Sequence, residues 1–257
     1  MLEYLLVELT LPVLLAAGAV TFVAGLVKGA LGFAMPIVMI SGLSSFLPVE
    51  LALAGLMLPT LLTNLSQSLR QGWPAARSSL LRYWRMLVAI VICMILSAQV
   101  LGFLSGPVML ALLGAPITAF ALIQLWGVPL RIQVARRRRA EWMSGIVGGL
   151  YGGVTGVWGP PVMVYLLSVD TEKRDMVRVL GVVFLIGGVA LIIGHLISGV
   201  ANANTMSFSA VLILPGMLGL WLGYKVQDRL NAALFRRLTL IGMVVIGLNL
   251  LRQAAGL

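Results

Sequence analysis

The chain has 257 residues, 60% of them hydrophobic and only 10% charged, with a mean hydropathy of +1.06 and a formal net charge of +10. Soluble domains carry about 25% charged residues, so these figures exclude a soluble globular class and indicate an integral membrane bundle. The single Cys93 excludes a disulfide framework or a thiolate metal site. The basic excess brackets apolar runs, so it reads as an orientation signal and not as a nucleic-acid surface.

In chain order, residues 4–27 are apolar and long enough to span, since about 20 residues cross the hydrocarbon core. Glu3 and Glu8, with no Lys or Arg among them, make a poor signal peptide. A glycine-rich break follows, then an apolar piece to Leu47. Pro48 opens a helix running to Leu69 with Thr63, Asn64, Ser66, Gln67 and Ser68 near its end. A basic loop is expected over 70–85, then spans at about 86–104 and 108–128. The central linker carries Arg131 and Arg136 to Arg139. A second broken segment covers 142–169, a mixed-charge loop 170–178 follows, and a span is expected at about 177–198. An uncharged, Asn-rich loop at 199–206 precedes spans at about 207–224 and 236–254.

One stretch occurs twice. Sliding the chain by 127 positions brings Gly18, Gly25, Gly29 and Gly32 onto Gly145, Gly152, Gly156 and Gly159. Glycine and proline at this density break a helix, and a broken apolar helix repeated once per half points to a transporter's binding site.

Charge sets the expected topology. All of the 18 basic residues except Lys28 and Arg252 fall in the loops 70–85, 131–139, 170–178 and 225–237. The positive-inside rule places all four in the cytoplasm. Only 142–169 separates the second loop from the third, so it must cross an even number of times, as a re-entrant hairpin turning near Gly156–Pro161. By the repeat, residues 18–45 form its partner, entering from outside. The expected fold is all-α integral membrane: two inverted repeats, each a glycine/proline-broken re-entrant hairpin plus about three transmembrane helices. The first repeat spans 1–130, the basic cytoplasmic linker 131–141, and the second repeat 142–257. A single long span over 142–169 is the alternative, and whether residues 1–17 add a crossing is left open.

Lys28 is the basic residue set inside an apolar segment. An ionisable group at that depth marks a functional site by default. Beside a helix break it would meet an anion together with N–H groups at half-helix N-termini; the alternative is that it snorkels to the surface. Gly29, Gly32, Gly156 and Gly159 let backbone N–H groups approach a ligand, or let helices pack closely. Thr155 stands at the position matching Lys28, with Trp158 nearby. Asn64 and Gln67 can bind an oxyanion or a neighbouring helix. His195 is either a proton relay or an interfacial histidine, and Tyr151 and Tyr165 flank the second break. The eight acidic residues are read as lying at termini or in loops, which disfavours a cation transporter. No His pair and no Ser/His/Asp set supports a membrane enzyme.

The motif Gly-x-x-x-Gly-x-x-Gly followed by proline in each half, the basic central linker and about eight apolar segments resemble the sulfite exporter TauE/SafE family, also called the toluene sulfonate uptake permease family. Phe33-Ala34 departs from it where a further glycine is expected, as does Lys28. The resemblance implies a multi-pass permease of the bacterial plasma (inner) membrane for sulfite or an organosulfonate. It implies no enzyme activity and no cofactor. The expected substrate-binding set is Lys28, Gly29, Gly32, Asn64, Gln67, Thr155, Gly156, Trp158 and Gly159. Expected partners are the small anionic substrate and membrane lipids. With no nucleotide-binding motif, protons, another ion or the substrate's own gradient would drive transport. A passive anion channel and a carrier of a non-sulfur organic anion are the alternatives. Direction of transport, coupling ion and oligomeric state are not read from the sequence.

Overall fold

The computed structural model describes residues 10–99, 106–127, 136–155 and 157–256. Among these residues every regular element is helical. The first half holds α1 (Leu11–Leu31), α2 (Met35–Leu43), α3 (Val49–Leu69), α4 (Trp73–Arg82), α5 (Trp84–Ala98) and α6 (Gly106–Leu125). The second holds α7 (Arg137–Thr155), α8 (Gly159–Ser168), α9 (Lys173–Ile197), α10 (Ala203–Val211), α11 (Ile213–Arg229) and α12 (Ala232–Ala254).

The first break is narrower than the glycine stretch that announced it. Gly25 and Gly29 lie inside α1, which ends at Gly32. Gly32 adopts φ 84°, the left-handed cap that glycine takes without a Cβ penalty, and its N–H bonds the Lys28 carbonyl. Ala34 also lies at φ 77°, a region that disfavours a side chain. Pro36 then sits in the first turn of α2, where its missing N–H removes no helical bond. The second break repeats this plan: α7 stops at Thr155, and α8 starts at Gly159 with prolines in its first turn.

Gly25 and Gly29 serve the contact between α1 and α11. A Cβ at Gly25 would lie 2.3 Å from the Gly216 carbonyl oxygen, and one at Gly29 would lie 2.4 Å from that of Leu220. From the other side, a Cβ on Gly223 would meet the Leu26 oxygen at 2.3 Å. The backbones touch, as small residues permit between membrane helices. The second half answers with α7 against α5, where a Cβ on Gly153 would lie 2.2 Å from the Met94 oxygen. Other pairings also match: α2 on α3 with α8 on α9, α10 on α3 with α4 on α9, and α11 on α3 with α5 on α9. The helices α3 and α9 pack against each other, as do α6 and α12.

Four helices among the described residues are long and apolar enough to cross a membrane: Leu11–Leu31, Lys173–Ile197, Ala203–Arg229 and Ala233–Ala254. The pair α4 and α5, bent by 76°, makes a fifth when taken as one span. The expected loop 70–85 is therefore largely the helix α4, and residues 137–141 of the expected linker begin α7. The expected 207–224 span is longer as well, running from Ala203 to Arg229 across α10 and α11.

The basic segments meet on one face. Arg70 bonds Asp228 at 2.6 Å, Gln71 donates to the Arg174 carbonyl at 2.7 Å, and Arg85 lies 3.7 Å from Glu141. The start of α7 and the loop after α8 thus share a face. Glu141 corrects the reading that acids lie only at termini and in loops: it sits inside α7, buried and paired with Arg85.

The core helix α3 carries Pro59, which leaves the Gly55 carbonyl without its helical donor. Ser209 of α10 repairs the gap. Its Oγ donates to the Gly55 oxygen at 3.0 Å and accepts the Leu58 N–H at 3.0 Å. Such repair by a neighbouring helix is what makes proline tolerable in a membrane span.

Candidate functional site

The two breaks face each other. Phe33, Ala34, Pro36 and Ile37 from the first line one gap with Val157, Trp158, Gly159 and Pro160 from the second, and Phe184 of α9 closes its side. The gap holds about 10 Å³, the room of roughly one water. Residues at the N-termini of both α2 and α8 border it, so the positive ends of two half-helices meet at one place.

Lys28 lies in the last turn of α1 and is 1% exposed. It does not snorkel. Its Nζ donates to Thr63 Oγ1 at 2.7 Å and to Asn64 Oδ1. Thr63 passes its own hydrogen to the Pro59 carbonyl at 2.7 Å. An ammonium has three donors, and these contacts use two. No carboxylate pairs with Lys28 among the described residues. A buried cation held only by neutral oxygens lacks the counter-charge that burial ordinarily demands.

Gln67 stands one turn further along α3. Its Nε2 bridges the Gly32 carbonyl at 2.9 Å and the Val177 carbonyl of α9 at 2.8 Å. It ties the first break to the second half of the chain. Asn64 Nδ2 and Gln67 Oε1 are buried with no partner among the described residues. The first break is therefore wrapped in Lys28, Thr63, Asn64 and Gln67.

The second break is apolar where it is described. Trp158 is fully buried and meets Phe184 edge-on at 5.9 Å between ring centres. Its indole N–H has no acceptor among the described residues. Gly159 fits under Phe184, which a Cβ there would approach to 3.0 Å. The side chain of Thr155 and the whole of Gly156 lie outside the described residues.

Of the expected site residues, Lys28, Gly32, Asn64 and Gln67 form one hydrogen-bonded cluster, while Trp158 and Gly159 line the facing wall. Gly29 is set against the α11 backbone, a helix contact. Thr63, which holds Lys28, and Phe184, which lines the gap, were not singled out as site residues by sequence. His195 is fully buried in the last turn of α9, with Nδ1 3.4 Å from Ser198 Oγ.

Searches among curated proteins and solved structures return no significant match. A protein-family model does match: Sulfite exporter TauE/SafE, over residues 17–250. That span takes in both breaks and nearly every described helix, and the chain belongs to the sulfite exporter TauE/SafE family of multi-pass membrane transporters.

Proposed function

We propose that the chain is a secondary transporter for a small sulfur oxyanion, sulfite or an organosulfonate, bound between the two breaks. The carrying observation is Lys28: a buried lysine with no carboxylate partner among the described residues, in the last turn before the break whose other side borders the gap. Each of these features favours an anion, and the anion would supply the missing counter-charge. Thr63 and Asn64 hold the ammonium, and the Trp158 indole N–H offers a further donor to a sulfonate oxygen. Phe33, Trp158 and Phe184 suit an organic tail.

The matched helix pairings support two inverted repeats over 1–130 and 142–257, joined by the linker 131–141. The shared basic face supports hairpins in place of full crossings at α1–α2 and α7–α8, with that face cytoplasmic. With lengths of 21 and 20 residues, α3 and α6 are long enough to serve as further spans. The gap is too small for sulfite, so loading requires one repeat to move against the other, as alternating access provides. This closed gap favours a carrier over an open channel. Chemistry on the substrate forms no part of the mechanism, and an ion gradient, protons included, or the substrate's own gradient drives it across a bacterial inner membrane.

The test is uptake of radiolabelled sulfite and toluenesulfonate into proteoliposomes. A carrier saturates and shows counterflow when the vesicles are preloaded with unlabelled substrate. Flux that rises linearly with concentration and shows no counterflow contradicts the proposal in favour of a channel.

A further inference from the structure

A second, larger cavity opens on the basic face. It has a volume of about 510 Å³, and Gln67, Arg70, Lys173, Arg174, Arg178, Gln227 and Asp228 are among its lining residues. Four of these residues are cationic and one is anionic. The positive-inside rule explains basic residues in loops, but not their convergence on a concavity that reaches a buried amide.

The committed charges are few. Arg70 pairs with Asp228, and Arg178 pairs with Asp175 at 2.9 Å while also holding Ser79 and Gln71. Lys173 Nζ donates to the Gln227 and Leu230 carbonyls at 2.8 and 2.6 Å, and among the described residues it forms no ion pair, although Asp228 lines the same cavity. The Arg174 guanidinium has no ion-pair partner among the described residues and is exposed.

The second observation comes from Gln227, which is 3% exposed. Its Oε1 accepts from Arg70, which orients the amide, and its Nε2 is left buried without an acceptor among the described residues. A buried donor left unmade is costly. Here it lines a cavity in which cations outnumber the one acid, and an anionic oxygen would satisfy both.

We infer that this vestibule is a second anion site, which receives a small oxyanion on Lys173, Arg174 and the Gln227 amide. Gln67 lies at the boundary between the two sites. It lines the vestibule and bonds the Gly32 carbonyl of the first break. The vestibule site stages the anion, and parting the Gln67 bridge admits it toward Lys28. The staging role rests on the proposed transport reading, whereas the binding does not.

The experiment measures sulfate and sulfite binding by calorimetry on the detergent-purified protein at low salt. The variants are Lys28→Met, Arg174→Glu and the double variant, each checked for an unchanged melting temperature. Among the described residues the Arg174 side chain makes no hydrogen bond or ion pair that its replacement would break, so folding should be spared. Lys28→Met should retain a weak site that added chloride suppresses, because exposed charges are screened. Arg174→Glu should weaken that site at least about 5-fold, and the double variant should bind nothing. If wild type and Lys28→Met bind alike while Arg174→Glu abolishes binding, the vestibule stands and the Lys28 site falls. If Lys28→Met removes all binding, or Arg174→Glu changes nothing, the vestibule site is overturned. The same measurement in nanodiscs of neutral and anionic lipid separates free anion from headgroup. Occupancy by anionic lipid alone, with no binding of sulfate or sulfite in detergent, also overturns it.

Discussion

The two breaks share a frame and differ in chemistry. Both follow a glycine-bearing helix and restart a half-helix with proline in its first turn. The first is wrapped by Lys28, Thr63, Asn64 and Gln67, and the second by Trp158 and Phe184. Backbone requirements were kept in both copies, while side chains diverged. Polar groups gather behind the first break and aromatic rings at the second, a division that suits the head and tail of the proposed organosulfonate.

If the frame is common to both halves, its loss should be equally severe in each. Gly29→Leu and Gly153→Leu place a branched side chain where even a Cβ lies 2.4 Å and 2.2 Å from a carbonyl oxygen. Both should fail to yield a monodisperse protein by size-exclusion chromatography, since overpacking of one methylene already costs about 1–3 kcal/mol. A folded, transporting Gly29→Leu would show that the α1–α11 contact is not as close as described.

The chemistry of the second wall is tested by discrimination. Trp158→Ala should lower the preference for toluenesulfonate over sulfite about 10-fold in competition uptake, while sulfite uptake persists. Equal loss for both substrates would assign Trp158 to the frame and not to the tail.

The smallest expected effect concerns the tie between the halves. Gln67→Leu leaves the Gly32 and Val177 carbonyls without their donor. It should lower stability by about 1–3 kcal/mol, read as a reduced melting temperature. A melting temperature at or above that of wild type would mean that water or another donor already serves those carbonyls.

The sequence revealed the frame more readily than the walls. The 127-residue offset of the glycines and the prolines behind them located both breaks. The role of each glycine was not legible, because close packing and backbone exposure both require only the absence of a Cβ. Gly29 was read as favouring a ligand, yet it faces the α11 backbone. Gly216, Gly219 and Gly223, spaced three and four apart, carried a signal for that contact, since they form one helix face. Lys28 stood out because charge within an apolar run is rare, but its partners are 35 and 36 residues away and no local pattern names them. Phe184 looked like any apolar residue of a span, and the helix α4 was hidden because arginines interrupt its apolar pattern.

The central claim is that Lys28 is the anion's charge partner, and the most direct measurement is sulfite uptake by Lys28→Met in proteoliposomes beside wild type. Methionine keeps the length and apolar packing of the stem and removes the ammonium. The account predicts a folded protein whose apparent affinity falls about 10- to 100-fold, the size expected for losing a hydrogen bond to a charged group. Saturable uptake with unchanged affinity and rate would contradict it and leave Lys28 as a cross-link between α1 and α3.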